Sequence, residues 1–407
     1  MHKMKIFNDP VYGFVSVPYG VLFDIIEHPY FQRLRRIKQV SLTHYVYPGA
    51  LHTRFSHALG AMHLMTEAIS VLRSKGVVIT DEECQAAQAA ILLHDIGHGP
   101  FSHTLENTLI DVSHEVISMR FMEELNEQFG GKLDLTIQIF KNEYHKPFLF
   151  QLISGQLDMD RMDYLNRDSF FTGVYEGVVG YDRIIKMLDV RTGELVVEEK
   201  GIYSIEKFLM ARRLMYWQVY LHKTVLSVEE MMLRALRRAK HLAQKGTQFA
   251  VPASLAFFLY GNFKPEDFLN GRKKMLEHFA KLDDNDIVSA LKVFRECSDK
   301  LLVFLASSIL DRKLFRLRFQ NTPIEPRREA RVIDGIMQEF GLSQEEAQWL
   351  LITGSETNST YNTSKEEIKI VYKDGRISPM SEISDFGLTS GLIKKYYLAY
   401  PKVLGHI

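Results

Sequence analysis

His94-Asp95-Ile96-Gly97-His98-Gly99-Pro100-Phe101-Ser102-His103 closes an apolar, alanine-rich stretch that begins near Cys84 and reads as a helix. Neighbouring residues on a helix point about 100° apart, so His94 and Asp95 serve one metal ion only where the helix faces a cavity. Gly97 and Gly99 end the helix at such a place. Upstream, Thr53-Arg54-Phe55-Ser56-His57-Ala58-Leu59-Gly60 sets His57 near a helix start among residues small enough for close helix approach, where it offers a second imidazole. Downstream, the segment Asp158 to Asp168 carries too many charges for a core helix, yet Met162 and Leu165 make it pack, so its polar face lines a cavity. An isolated His-Asp pair reads as a hydrogen-bonded core histidine beside a capping aspartate. Glycines, further histidines and a matching acidic helix shift the reading to a metal centre. Two imidazoles and two carboxylates leave open positions on Mg, Mn, Fe or Zn for water and a phosphate oxygen.

Composition narrows the class. With 46% hydrophobic residues among 407, the chain buries a large core and has room for one big domain and an appendage. Lys+Arg and Asp+Glu both number 50, so bulk charge draws the chain neither to nucleic acid nor to an anionic membrane. Cys84 and Cys297 are too few for a disulfide framework or a thiolate zinc site and suit a reducing compartment. Apolar windows such as Leu301 to Leu310 are too short to span a bilayer, and the expected location is cytoplasmic.

The expected architecture is mainly α. Lys5 to Pro18 alternates around Asn8-Asp9-Pro10 and Gly13 as a short hairpin. Helical periodicity runs from about Val21 to Tyr220, with one β excursion at Asp189 to Tyr203. Residues 205 to 245 form long helical stretches mixing aromatics and arginines, a face suited to a second subunit, and amphipathic helices fill 250 to 320. Pro323 to Pro326 marks a boundary between a core, 1–322, and a small C-terminal α+β module, 323–407, with a strand at Glu367 to Tyr372 and a loop at Gly354 to Ser364.

Further residues surround the cluster. Ser102 as a helix cap places His103 and Glu106 three apart, an imidazole and carboxylate suited to proton transfer at a phosphate ester. His98 and the pair His114-Glu115 offer contacts to the same phosphates, although His114-Glu115 alone also reads as a helix N-terminus after Ser113. Asp160, Arg161, Tyr164 and Asp168 share a helix face, and Arg212, Tyr216, Tyr220 and Lys223 repeat the pattern. Arginine forks match phosphate, and phenols pack on a sugar or base. Singly, each is more often a solvated or interface residue.

His57, His94-Asp95 and Asp160 resemble the four-ligand signature of the HD-domain phosphohydrolases. The Phe31 to Gln39 segment, Tyr47-Pro48-Gly49-Ala50, Thr53 to Gly60 and His94 to His103 resemble its deoxynucleoside triphosphate (dNTP) triphosphohydrolase branch, the dGTPases and the sterile-alpha-motif-linked enzymes, over roughly Lys5 to Lys223. The resemblance implies an HD-domain helical bundle that splits a dNTP into deoxynucleoside and inorganic triphosphate. It implies one divalent metal on His57, His94, Asp95 and Asp160, with His103 and Glu106 as the acid/base pair. It further puts His98 and His114 near the reacting phosphate, and Arg54, Arg161 and Arg212 on the triphosphate. Gln39, Tyr164, Asp168 and Tyr220 would surround the sugar, with Val40 and Tyr220 excluding a 2′-hydroxyl. A homo-oligomer, dimer or tetramer, is implied, and Lys5, Asn8, Glu27 and Arg35 occupy the stretch where regulated relatives bind an activator nucleotide between subunits; tying the hairpin to the bundle is an equal reading. Several positions depart from the branch: Glu106 stands for Asp, Arg161 for Lys, Tyr216 for His and Val40 for Leu.

Two other readings stay open. The same metal site would serve a phosphatase or phosphodiesterase acting on another nucleotide. Arg234, Arg237, Arg238 and Lys240 form a basic helix face that a nucleotide sensor or nucleic-acid-binding module would use.

Overall fold

The computed structural model describes residues 4–101, 108–110, 112–269, 273–358, 361, 366–385 and 393–406. It opens with an antiparallel hairpin, β1 (Met4–Asp9) and β2 (Gly13–Pro18). Asp9 Oδ1 shapes the turn by accepting the Val11 and Tyr12 amides, and Gly13 takes a φ of 78°. The inward residues Val15 and Val17 are fully buried.

Helices then dominate, as expected, and three of them carry the chemistry-bearing segments. Arg54–Ser74 follows Thr53 and is buried along most of its length, its small residues admitting close neighbours. Gly60 is one of these, because a Cβ there would overlap the Asp163 carboxylate and the Arg167 guanidinium. Asp81–Leu93 begins with a capping box between Thr80 and Glu83 and ends as a wholly buried alanine-rich rod at His94. Met159–Thr172 is capped by Asp158 and stopped by Gly173 in the left-handed conformation. The first of these packs on both of the others, bringing three distant stretches of sequence to one place.

The β excursion is a hairpin, β3 (Leu188–Arg191) with β4 (Glu194–Glu198). It belongs to a larger sheet in the order β3-β4-β7-β8, where β7 (Lys369–Val371) runs parallel to β4 and β8 is Ile377–Pro379. A second sheet joins β5 (Arg316–Gln320) and β6 (Ile352–Asn358) to opposite sides of β9 (Ile393–Tyr400). Both sheets therefore pair strands from before and after position 323.

The loop expected at Gly354 to Ser364 is corrected over its first part, since Gly354 to Asn358 lies in β6. An edge strand with one solvated face tolerates such polarity, and its burial alternates accordingly. The continuous helical register expected from Arg212 to Lys223 is also broken. Ile202–Met215 passes into a π-helical turn, Tyr216–Tyr220, before Lys223–Gln244 starts afresh. No helix among the described residues is long and apolar enough to cross a membrane.

Candidate metal and nucleotide site

The helices Arg54–Ser74 and Met159–Thr172 and the turn after Asp81–Leu93 deliver His57, Asp160, His94 and Asp95 to one point. His57 Nε2 lies 3.1 Å from Asp160 Oδ1 and 3.4 Å from His94 Nε2. His94 Nε2 is 3.4 Å from both Asp160 Oδ1 and Asp95 Oδ1, and His57 Nε2 is 3.7 Å from Asp95 Oδ2. Ligand atoms of His57, His94 and Asp160 all fall within 4.8 Å of one another.

The outer contacts decide what this cluster fits. His57 Nδ1 donates to Asp163 Oδ2 at 2.7 Å, and His94 Nδ1 donates to the Ile91 carbonyl at 2.6 Å. Each ring thus carries its proton on Nδ1 and turns the Nε2 lone pair inward, the arrangement that metal-binding imidazoles share. Two lone pairs and two carboxylates facing one another repel unless a cation or protons lie between them, so the donor set fits a divalent metal. The charges fit as well. Burial pulls His57 down, but Asp160 and Asp163 outweigh it and lift the imidazole to about 10. Burial raises Asp160, yet His94 and His57 hold it well below the usual carboxylate range.

The turn itself is braced from behind. Fully buried Arg33 donates to the Ile96 carbonyl at 2.7 Å and the His98 carbonyl at 2.9 Å, and burial pushes its guanidinium down to about 9. Gly97 is required for close approach, because a Cβ would overlap the His114 carbonyl and the Ser118 amide. Phe101 holds a left-handed φ of 50°, with its amide donating to Asp284 Oδ1 at 2.9 Å. Arg33 and Asp284 were not legible as site residues, since their contacts join segments 63 to 183 positions apart.

His98 and His114 come together as expected, their rings stacked at 3.9 Å with an angle of 16°. His98 Nε2 is 3.4 Å from Asp95 Oδ1, and burial with the nearby Arg54 charge keeps that imidazole well below its ordinary value. Arg54 contacts Asp95 directly. Arg161 is held by Asp158 and the Gly155 carbonyl, while Arg212 Nη1 reaches Gln156 Oε1 at 3.4 Å. His103 and Glu106 lie outside the described residues, as does Ser102.

Beside the cluster opens a cavity of ≈ 490 Å³ whose walls include Arg54, Gln39, Val40, Tyr164, Asp168 and Tyr220. Asp168 is fixed on both oxygens, by His52 Nε2 at 2.7 Å and by the Tyr220 hydroxyl at 2.7 Å. The π-turn brings Tyr216 to the same wall as Tyr220, a use to which such turns are often put. Lys223 starts the next helix and does not line the cavity. Ser41, Glu229 and Glu356 also line it and were not singled out from sequence.

Lys5, Asn8, Glu27 and Arg35 are all exposed, and none lines this cavity. Arg35 lies over the Phe55 ring at 3.5 Å, and Phe7 of β1 packs on the same ring. The basic face after Arg234 is engaged within the chain: Arg238 pairs with Asp299 at 2.6 Å, and Lys240 Nζ donates to the Leu109 carbonyl at 3.3 Å.

The model of the HD domain matches residues 54–168, and that of the HD associated region matches 179–250. The crystal structure of a phosphohydrolase from Bacteroides thetaiotaomicron is 52% identical with a TM-score of 0.95, covering 98% of this chain and 100% of that one. The uncharacterized protein YwfO of Bacillus subtilis is 30% identical over 421 residues, 99% of this chain and 94% of its own length. Deoxynucleoside triphosphate triphosphohydrolase SAMHD1 of Homo sapiens is 28% identical over 281 residues, 58% of this chain and 45% of that protein. The chain belongs to the HD-domain phosphohydrolase family.

Proposed function

We propose that the protein hydrolyses deoxynucleoside triphosphates to deoxynucleoside and inorganic triphosphate. One observation carries the reading: Arg54 both contacts the candidate metal ligand Asp95 and lines the neighbouring cavity, joining a phosphate-hydrolysing centre to a space of nucleoside size. His57, His94, Asp95 and Asp160 would hold the metal. A divalent cation there supplies charge neutralisation at a phosphate under attack.

The remaining roles belong to the chain. Arg54, Arg161 and Arg212 hold the triphosphate through forked hydrogen bonds. Tyr164 and Gln39 pack on the sugar, and Tyr220, locked by Asp168, walls off the 2′ position together with Val40. Water adds to the α-phosphorus and loses a proton, the bond from phosphorus to O5′ breaks, and O5′ takes up a proton and leaves as the deoxynucleoside. His103 and Glu106 are proposed for the proton transfer, with His98 kept neutral by burial to contact the phosphate without adding charge. Similarity to SAMHD1 supports the substrate class, and the three arginines favour a polyphosphate over a monophosphate or cyclic nucleotide.

The test is product analysis after incubation with each dNTP and Mg or Mn, singly and in pairs. Triphosphate and deoxynucleoside in equal amounts are expected. Orthophosphate or pyrophosphate alone would exclude the proposed bond. Turnover confined to mixtures would reveal an activator nucleotide.

A further inference from the structure

Between the helix Pro147–Ser154 and the helix that carries Asp160 lies a short buried bend, residues 155–158. Two of the arginines proposed for the triphosphate rest on it. Arg161 is gripped by the Gly155 carbonyl and the Asp158 carboxylate, and Arg212, from the helix Ile202–Met215, reaches the Gln156 side chain at 3.4 Å. Asp158 is fully buried, and both guanidiniums act on its charge. Arg212 Nε is buried with no hydrogen-bond partner among the described residues. The aim of both forks therefore follows the position of the bend.

What holds the bend comes from the far end of the chain. Glu366, just ahead of β7, accepts the Gln156 amide on Oε2 at 2.9 Å and Gln151 Nε2 on Oε1 at 2.9 Å. Gln151 turns its own oxygen to the Leu195 amide of β4 at 2.7 Å, so the carboxylate is anchored to the same sheet that β7 enters. Gly155 leaves room for this approach, since a Cβ there would lie 2.5 Å from the Gln151 carbonyl oxygen and 3.2 Å from Glu366 Oε2. Burial pushes the Glu366 carboxyl up, against the pull of the Gln156 amide, the Gln151 side chain and the Arg161 charge. A carboxylate kept in a partly desolvated place by two aligned donors is a fixed point. By contrast, the ion pair of Lys369 with Glu194 ties β7 to β4 nearer the surface.

We propose, resting on the triphosphohydrolase reading, that Glu366 is a positioning residue: it clamps the bend 155–158 from the C-terminal part of the chain and so presets Arg161 and Arg212 for the triphosphate. The chain beyond position 323 then has a share in substrate affinity although it supplies no candidate metal ligand. Forked hydrogen bonds to phosphate depend on angle as well as distance, so a bend free to shift weakens both arginines at once. The metal cluster does not depend on this clamp, because His57 and His94 are held from behind by Asp163 and the Ile91 carbonyl.

The experiment uses the full chain, Glu366→Ala, Glu366→Gln, which keeps the volume and turns one acceptor into a donor, and Lys369→Ala as a control that loosens the contact of β4 with β7. Thermal unfolding and Mn content after dialysis check folding and the metal site. Calorimetry measures binding of inorganic triphosphate with Mn in excess, and steady-state kinetics give kcat and KM for each dNTP that the parent chain turns over. In the Glu366 variants the affinity for triphosphate should fall by about tenfold or more and KM should rise by a similar factor, with Mn content unchanged and kcat within about threefold of the parent. Lys369→Ala should leave all of these unmoved. If Glu366→Ala does not fold, Glu366→Gln decides. A fall in kcat at constant KM is the mark of a smaller active fraction and a merely structural role, and it overturns the proposal. Unmoved triphosphate affinity in folded Glu366→Gln overturns it too, and leaves the triphosphohydrolase reading intact where the parent releases triphosphate. A parent chain that releases none, yet binds triphosphate and loses that affinity in the Glu366 variants, overturns the reaction and supports the clamp.

Discussion

His57 and His94 point their Nε2 atoms at each other across 3.4 Å, each ring pinned from behind by a hydrogen bond to Nδ1. In the proposed metal site that relationship has a pH consequence. Before a cation binds, the neighbouring carboxylates hold a proton on His57 up to about pH 10, so metal and proton compete through the neutral range. The sign is fixed: affinity rises as pH rises toward 10 and falls as pH drops, by about tenfold per pH unit for each proton displaced. Calorimetric titration of Mn in buffers of different ionisation enthalpy should show proton release at pH 7.

Asp163 touches no reacting atom in the proposed scheme, yet its carboxylate bridges His57 Nδ1 and the Arg167 guanidinium, which in turn reaches Asp9 of the hairpin at 2.7 Å. Asp163→Asn should weaken metal binding by about 10- to 100-fold, read by chelator competition. Unchanged affinity would mean that the orientation of His57 is set elsewhere.

Arg33 is buried with its charge directed at two backbone carbonyls of the turn that carries Asp95 and His98. Arg33→Met removes both donors and leaves the carbonyls dry. A loss of about 3 kcal/mol or more in urea unfolding is expected, together with weaker metal binding.

Tyr220 is held by Asp168 through its hydroxyl and by edge contacts with Tyr216 at 5.4 Å and Tyr164 at 6.0 Å, which makes its ring a rigid wall. Tyr220→Ala should open that wall to a 2′-hydroxyl. The expected result is a drop of about tenfold or more in the preference for dGTP over GTP. An unchanged ratio would assign ribose exclusion to another residue, Val40 first.

Much of this was legible in the sequence because it is local. The hairpin follows from Asn8-Asp9-Pro10 and Gly13 and the turn at Gly97 from its glycines, whereas the set His57, His94, Asp95 and Asp160, spread over distant segments, is read from its resemblance to the HD-domain signature. The rest depends on contacts that no local pattern encodes. Parallel pairing of β4 with β7 joins Val197 to Ile370, and nothing in either strand names its partner. Gly354 to Asn358 reads as a loop because one face of an edge strand is polar. Ser41 and Glu356 reach the cavity only through the tertiary fold, and the π-turn at Tyr216–Tyr220 follows a helix without a proline or glycine to announce it.

The central claim is that His57, His94, Asp95 and Asp160 together hold one divalent ion. Metal content after dialysis against Mn, compared between the parent chain and Asp95→Asn, tests it most directly. One ion per parent chain and a near-empty, folded variant that releases no triphosphate are predicted. A variant that retains a full complement of metal and full turnover would contradict it.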